Sequence, residues 1–223
     1  MYGSFLIHRR NVRGYWMKDS PKVTWFLKYL AIFFTIPIIG TLAHELGHYL
    51  AAIINGQPAG IAYAYTYYIG PDLLTPYQHF WVTMAGPIST WVTAIIGLTV
   101  ILWKYRPMHQ ESEKAIGVGQ TSALIITSFG IRFIFNACGY FILTIILGQS
   151  SSADEVHIAQ YLGLSPDLLM YGSGIIALIM LLIALYYIPR HQRYIILIGG
   201  IIGGVLGYLF WYYWIGPIIL PLR

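Results

Sequence analysis

Five apolar stretches, separated by shorter polar segments, dominate the pattern of the chain. They cover about residues 25–54, 79–103, 115–147, 171–188 and 194–217. A helix needs about 20 mostly apolar residues to cross the hydrocarbon core of a bilayer. The pattern therefore predicts an all-α polytopic membrane protein with about five transmembrane helices, or six if one stretch is divided. Residues 23–223 would form a single integral membrane domain behind a basic N-terminal segment, residues 1–22.

The third stretch is longer than one crossing requires. As a single α-helix, residues 115–147 would measure roughly 50 Å, against a hydrocarbon core of about 30 Å. Such a helix must tilt strongly, break near Gly139 or project beyond the bilayer. The pattern of apolar residues leaves these three alternatives open.

One segment between the first two stretches has a different period. Residues 60–69 read GIAYAYTYYI, with large side chains at every second position. A period of two predicts a small β-strand or hairpin beside the membrane. The alternative is a tyrosine-rich loop in the aromatic belt at the membrane surface.

Composition narrows the class of protein. Apolar residues make up 57% of the chain and charged residues 9%, whereas an average soluble domain has about 25% charged residues. A soluble domain and a disordered chain are both excluded. The single cysteine, Cys138, also excludes an internal disulfide framework and a cysteine-based zinc site.

Basic residues are distributed unevenly among the loops. Ten of the 13 Lys and Arg residues lie in segments 1–22, 104–114 and 189–193, whereas segments 55–78 and 148–170 contain none. The positive-inside rule then predicts five spans with a cytoplasmic N-terminus, most simply in the cell membrane. The bilayer is the expected partner of these charges, and no nucleic-acid partner is expected.

The first apolar stretch contains the motif His-Glu-x-x-His at His44, Glu45 and His48. Residues i and i+4 share one face of a helix, so the two imidazoles can bind one metal ion. Zinc suits two imidazoles and a carboxylate, with one position open for water. Glu45 would act as the general base. The motif predicts one Zn²⁺ per chain, and the alternative is a polar trio that lines a water-filled cavity.

The third metal ligand must come from a short list, because the chain has only eight acidic residues. Asp154 is the first candidate, and Glu155 and His157 are alternatives in the same basic-free segment. Serines precede these acids, which is typical of a helix start, where acidic side chains also favour the helix dipole. The two acids therefore have a purely structural interpretation as well.

Two polar residues lie within the third stretch. Arg132 and Asn136 are four residues apart, and a charged side chain inside a span should have a partner or reach water. They would either make hydrogen bonds between helices or stabilise an oxyanion and position the substrate.

The segment His44-Glu-Leu-Gly-His-Tyr-Leu-Ala-Ala52, followed by Met84-Ala-Gly-Pro-Ile88, resembles the site-2 protease family of intramembrane zinc metalloproteases. The resemblance covers about residues 30–160 as a catalytic core and leaves residues 171–217 as accessory helices. It implies zinc-dependent cleavage of membrane-spanning substrates, with a third-ligand Asp from a later segment.

The resemblance also implies a β-element that pairs with an unwound substrate, with Tyr63, Tyr65 and Tyr67 as its strand-pairing residues. The chain departs from the family at Ser89 and Thr90, where the family usually has Asn. It also lacks the usual Leu-Asp-Gly signature around the third ligand.

These observations favour an intramembrane zinc metalloendopeptidase that acts on a transmembrane protein or peptide. One alternative is a zincin-type membrane peptidase that cleaves juxtamembrane or soluble peptides. The other is a non-catalytic metal-binding membrane protein or transporter, which would have no need of Glu45 as a base. The oligomeric state cannot be predicted from these patterns.

Overall fold

The structure is a computed structural model that describes residues 21–105 and 116–221. Its helices are α1 (Pro21–Ile54), α2 (Pro76–Lys104), α3 (Val118–Thr127), α4 (Ile131–Phe141), α5 (Asp154–Leu162), α6 (Pro166–Tyr186), α7 (Arg190–Phe210) and α8 (Gly216–Ile219). The strands β1 (Ala59–Ile61) and β2 (Thr66–Tyr68) lie between α1 and α2. Most of the basic N-terminal segment and of the 104–114 loop lies outside the described residues.

Five helical segments in the described ranges are long and apolar enough to cross a membrane. They are Lys22–Ile54, Pro76–Lys104, Val118–Ile146, Pro166–Tyr186 and Arg190–Ile219. The prediction of an all-α membrane protein with about five spans and a small β-element after the first is confirmed. α1 remains one helix through Pro37.

The third span is interrupted at its middle. A 3₁₀ turn, Ser128–Gly130, separates α3 from α4, and a π-helical turn, Ile142–Ile146, ends the span. The hydroxyls of Thr127 and Ser128 donate to the carbonyls of Ala123 and Leu124, at 2.8 and 2.7 Å, a contact that often bends helices. The interruption therefore lies at Ser128–Gly130, and Gly139 lies inside α4.

α7 packs along α1 through a face of glycines. A Cβ at Gly203 or Gly207 would collide with the carbonyls of Leu30 or Phe34 of α1, and a Cβ at Gly199 would lie 3.3 Å from the Leu30 nitrogen. Backbones can approach this closely only where side chains are absent. Gly199, Gly203 and Gly207 are each four residues apart, a spacing that predicts a helix-packing face, and in the structure they form one.

The main hydrophobic core surrounds the first half of α1. Tyr29, Phe33 and Ile36 of α1 are buried there against residues of α2, α3, α6 and α7. The Tyr29 hydroxyl donates to Gln192 Oε1 at 3.1 Å. The buried polar side chains of α1, which include His44, Glu45 and His48, lie in its second half, outside this core.

β1 and β2 form an antiparallel hairpin that pairs Ala59 with Tyr68 and Ile61 with Thr66. The hairpin interpretation of the period-two segment is correct, although its regular pairing is shorter than the pattern. The chain turns at residues 62–65, where the Ala62 N–H donates to the Tyr65 carbonyl at 2.9 Å. Across the pair, the Tyr67 ring lies over Gly60, which has no side chain to displace it.

Candidate metal centre

Three ligand atoms meet at one point in the second half of α1. His44 Nε2 and His48 Nε2 lie 3.1 Å apart. Asp154 Oδ2 of α5 lies 2.8 Å from the first nitrogen and 3.3 Å from the second. Both histidines are buried, and His44, His48 and Asp154 form a group that can hold a metal ion.

The other ring nitrogen of each histidine has a defined partner. His48 Nδ1 lies 2.7 Å from the Val82 carbonyl, which can only accept, so this nitrogen carries the hydrogen. His44 Nδ1 lies 3.1 Å from Thr90 Oγ1. Since the Thr90 hydroxyl donates to the Gly86 carbonyl at 3.2 Å, Thr90 accepts from His44. Both Nε2 atoms therefore direct lone pairs at the same point.

This donor set fits a tetrahedral metal ion. Ligand atoms bound at 2.0–2.1 Å around a tetrahedral ion are separated by about 3.3 Å, and the three separations here are 2.8–3.3 Å. Two lone pairs and a carboxylate oxygen this close repel one another unless a cation neutralises them. Nδ1–H bonds of the kind made to Val82 and Thr90 are the usual outer contacts of metal-bound histidines.

The Ala85-Gly86-Pro87 segment lets α2 lie directly against the two histidines. A Cβ at Gly86 would overlap both imidazole rings. On the facing helix, a Cβ at Gly47 would lie 2.5 Å from the Ala85 carbonyl oxygen. Two small residues at the crossing thus bring Val82 and Thr90 within hydrogen-bond distance of the rings.

Glu45 lies between the two histidines in the sequence and is 3% exposed. Its Oε2 accepts a hydrogen bond from Thr66 Oγ1 of β2 at 3.2 Å. The same hydroxyl lies 2.9 Å from the Glu45 backbone carbonyl. The hairpin therefore holds the Glu45 carboxylate at the edge of the metal group.

Asp154 is the first residue of α5. A carboxyl binds a metal ion in its ionised form, and Asp154 Oδ2 lies at the point to which both Nε2 lone pairs are directed. The helix start at this segment agrees with the sequence pattern.

The two alternative third ligands point elsewhere. The Glu155 carboxylate is buried and accepts from Asn136 Nδ2 at 3.4 and 3.5 Å. Burial raises the pKa of this carboxyl. His157 is exposed and lines a different cavity, beside His79 and Tyr161. Of the three candidates, the structure brings only Asp154 to the histidines.

A cavity of about 540 Å³ opens beside the metal group. Glu45, His48 and Asp154 lie in its wall, together with Arg132 and Asn136 of α4. Arg132 and Asn136, for which the sequence leaves open either helix–helix hydrogen bonds or substrate contact, thus lie at the same cavity, although 18 or more residues separate them from Asp154 along the chain. The hairpin contributes Tyr65, Thr66 and Tyr68 to this wall.

The three tyrosines predicted to pair with substrate have different surroundings. Tyr65 lines the cavity. The Tyr63 N–H donates to the Leu220 carbonyl at 3.0 Å, and the Tyr63 carbonyl accepts from Trp211 Nε1 at 2.8 Å. Tyr67 is paired with Gly60. The backbones of Tyr63 and Tyr67 are therefore used within the protein, and substrate pairing through these residues stays a prediction.

Four residues of the site carry no motif of their own in the sequence. Val82 and Thr90 contact the histidines, Thr66 contacts Glu45, and Tyr68 lines the cavity. The only available signal is their position in the sequence. Val82 and Thr90 flank Ala-Gly-Pro, and Thr66 and Tyr68 occupy the even-numbered positions next to the odd-numbered tyrosines of the hairpin.

Comparisons with protein-family models, curated proteins and solved structures gave no match.

Proposed function

We propose that the protein is an intramembrane zinc metalloendopeptidase that hydrolyses peptide bonds of membrane-spanning substrates. The observation that carries the proposal is the convergence of His44, His48 and Asp154 beside one cavity whose wall also contains a buried carboxylate, Glu45, that is not a member of the metal group. A site that only binds or transports a metal has no need of this additional acid.

The position of the site supports a substrate within the membrane. His44 lies ten residues before the end of α1 at Ile54, which is roughly 15 Å along the helix axis. The hairpin lies over the same cavity and offers the outer edge of β2. In an antiparallel ladder, hydrogen-bonded pairs alternate with non-hydrogen-bonded pairs, whose N–H and C=O groups point away from the partner strand. On β2 the residues of the non-hydrogen-bonded pairs are Thr66 and Tyr68. Their outward N–H and C=O groups would hold an extended substrate.

The chemistry follows from the donor set and from Glu45. A bound zinc ion supplies a Lewis acid that polarises the peptide carbonyl and acidifies water. Glu45 accepts a proton from the attacking water and later delivers it to the leaving amine nitrogen. Thr66 orients the carboxylate for both transfers. Asp154 and the two histidines hold the metal, and Val82 and Thr90 fix the orientation of their rings.

The test uses purified protein and a reporter with a transmembrane segment, reconstituted in vesicles. Wild-type protein should contain about one zinc per chain and cleave the reporter. Glu45→Gln should retain the metal and lose cleavage, because the amide cannot accept the proton. Undiminished cleavage by this variant would refute the mechanism. Cleavage of a soluble peptide, but never of the embedded reporter, would favour a juxtamembrane peptidase instead.

The third ligand has its own test. Asp154→Ala should lose zinc, whereas Glu155→Gln should retain it, since Glu155 bonds to Asn136 outside the metal group. Full zinc occupancy in Asp154→Ala would remove Asp154 from the site. Comparing the zinc content of these two variants shows which of the two adjacent acids of α5 binds the metal.

We also propose that the N-terminus faces the cytoplasm of a cell membrane, with the hairpin and Asp154 on the opposite side. The bias of basic residues toward alternate loops supports this orientation. Fusions of a reporter that is active only in the cytoplasm, placed before residue 1 and in the 148–153 loop, check it. Activity of the loop fusion alone would reverse the orientation.

A further inference from the structure

Arg132 lies in the middle of the third span, two residues after the 3₁₀ turn. It lines the metal-site cavity and also a smaller cavity of about 110 Å³ beside Pro37 and Tyr208. The arginine side chain is charged at all accessible pH values. A charge at this depth is costly and is expected to have a counter-charge.

In the part of the chain that the structure describes, no acid forms an ion pair with Arg132. Its Nε is fully buried, and no acceptor among the described residues reaches it. Within residues 21–105 and 116–221, no ion pair or hydrogen bond involves its side chain. The acid–base contacts in these ranges join Asp154 to His44 and His48 and Asp72 to His79.

The acidic groups near the cavity are each held by another residue. Glu45 accepts from Thr66, Asp154 contacts the histidines, and Glu155 accepts from Asn136. Arg132 thus presents to the cavity beside the metal group a guanidinium that no described acid contacts directly, although its charge acts on Glu45 and Glu155 from a longer distance. A guanidinium binds paired oxygen atoms through its fork of N–H donors.

We propose that Arg132 binds an anionic oxygen of the substrate during hydrolysis, and that it is a catalytic residue of this site. The inference rests on the proposed function and names the group that receives the developing negative charge. It also explains why a membrane protein would keep an arginine without a direct ion pair, since the guanidinium contacts an anionic oxygen only when substrate reacts.

The water oxygen forms a bond to the scissile carbonyl carbon while its proton passes to Glu45. The carbonyl π-electrons move to the oxygen, which becomes negatively charged and is met by Arg132. When the carbonyl re-forms, the C–N bond breaks and the amine leaves with the proton from Glu45. Preorganised donors at such an oxygen contribute about 10²–10³-fold in rate.

An anionic oxygen of the same chemistry could instead belong to the C-terminal carboxylate of a short peptide. That source would make the protein a carboxypeptidase rather than an endopeptidase. The two sources are separable because an internal peptide bond has no neighbouring carboxylate. Two probes therefore distinguish them: a phosphinic peptide with a C-terminal amide, which mimics the tetrahedral oxyanion, and a peptide with a free C-terminal carboxylate.

The experiment measures binding of both probes to zinc-loaded protein by calorimetry in detergent. Arg132→Met removes the charge with little loss of volume, and Arg132→Lys keeps the charge. Arg193→Met is the matched control, because Arg193 donates to the Ile188 and Tyr186 carbonyls away from the cavity. Zinc content and thermal unfolding are measured for each variant, and Glu45→Gln is included as a hydrolysis-deficient form that should still bind the phosphinic peptide.

For an oxyanion role, Arg132→Met should bind the phosphinic peptide roughly 100-fold more weakly, with Arg132→Lys between it and wild type. Its zinc content should be unchanged and its unfolding temperature equal or higher, because an unpaired charge has left the membrane interior. Arg193→Met should unfold at lower temperature and bind the probe normally. If instead only the free-carboxylate peptide loses affinity, the anionic oxygen is a C-terminal carboxylate and the oxyanion role is refuted.

Two other outcomes would overturn the inference. Unchanged affinity of Arg132→Met for both probes, with zinc intact, would show that the arginine binds neither oxygen. A lower unfolding temperature with loss of zinc would identify Arg132 as a structural residue. Failure of the proposed function is a different result, since wild-type protein would then bind neither zinc nor the phosphinic peptide.

Discussion

The hydroxyl of Thr66 on β2 lies 3.2 Å from Oε2 of Glu45 in the second half of α1. A hairpin outside the first span therefore contacts the acid inside it. The contact connects the element proposed to hold the substrate with the group proposed to move the proton.

Thr66→Val should lower the cleavage rate without loss of zinc. The substitution removes the hydrogen bond to Glu45 and keeps the branched shape of the side chain. A hydrogen bond to a charged group contributes about 1.5–3 kcal/mol, so the rate should fall roughly tenfold or more. Thr66→Ser keeps the hydroxyl and should stay near wild type. Initial rates and zinc content check the prediction, and an equally active valine variant would contradict it.

Gly86→Ala should weaken metal binding. The added Cβ would overlap the rings of His44 and His48, so the rings or α2 must move. Changes in the contacts around metal ligands typically cost about 10–100-fold in affinity. Gly40→Ala in α1 is the control, since nothing lies within 4 Å of its Cβ position. Competition with a chelator measures both affinities, and equal values would argue against the close approach of α2.

Gly203→Ala should destabilise the protein, whereas Gly204→Ala should not. The Cβ at Gly203 would collide with the Leu30 carbonyl of α1, while the Cβ at Gly204 would have its nearest contact at 3.9 Å, with the Phe135 ring. Overpacking of this kind costs about 1–3 kcal/mol. Thermal unfolding in detergent compares these neighbouring glycines. Equal unfolding temperatures of the two variants would contradict the close packing of Gly203 against the Leu30 carbonyl.

Trp211→Phe should loosen the hairpin. The indole N–H of Trp211 donates to the Tyr63 carbonyl at 2.8 Å, and phenylalanine keeps a ring but has no donor. Loss of one hydrogen bond of about 0.5–1.5 kcal/mol should speed hydrogen exchange of residues 62–69 by roughly two- to tenfold. Trp214→Phe is the control, because Trp214 is 68% exposed. Exchange that is unchanged in both variants would rule out an anchoring role for Trp211.

The Trp211 contact also changes how the last helix is understood. The resemblance to the site-2 protease family implies a catalytic core at about residues 30–160, with residues 171–217 as accessory helices. In the structure, α7 packs along α1, and the turn after α7 bonds to the hairpin. The last span therefore supports both elements that form the site. No local pattern predicts this, because residues 63 and 211 meet only through the packing of α7 on α1.

The third span shows a similar division between local and long-range information. Its length alone indicates that a single straight helix is too long. The place of the interruption depends on the Thr127 and Ser128 hydroxyls and on the position of Gly130 between two other helices, where an added Cβ would contact Ala94 and Ala177 at 3.5 and 3.7 Å. The last of these conditions involves two other helices, so apolar periodicity cannot locate it.

The sequence by itself determines the membrane class, the five spans, the period-two hairpin and the His44–His48 pair. Each of these depends on hydrophobicity or on spacing within one element, which the chain carries locally. Tertiary structure alone decides that Asp154 rather than Glu155 meets the histidines and that Thr66, Val82 and Thr90 hold the site. It also decides that no acid in the described residues contacts Arg132 directly. These relations join segments about 20 to 110 residues apart, so they arise only when the helices pack.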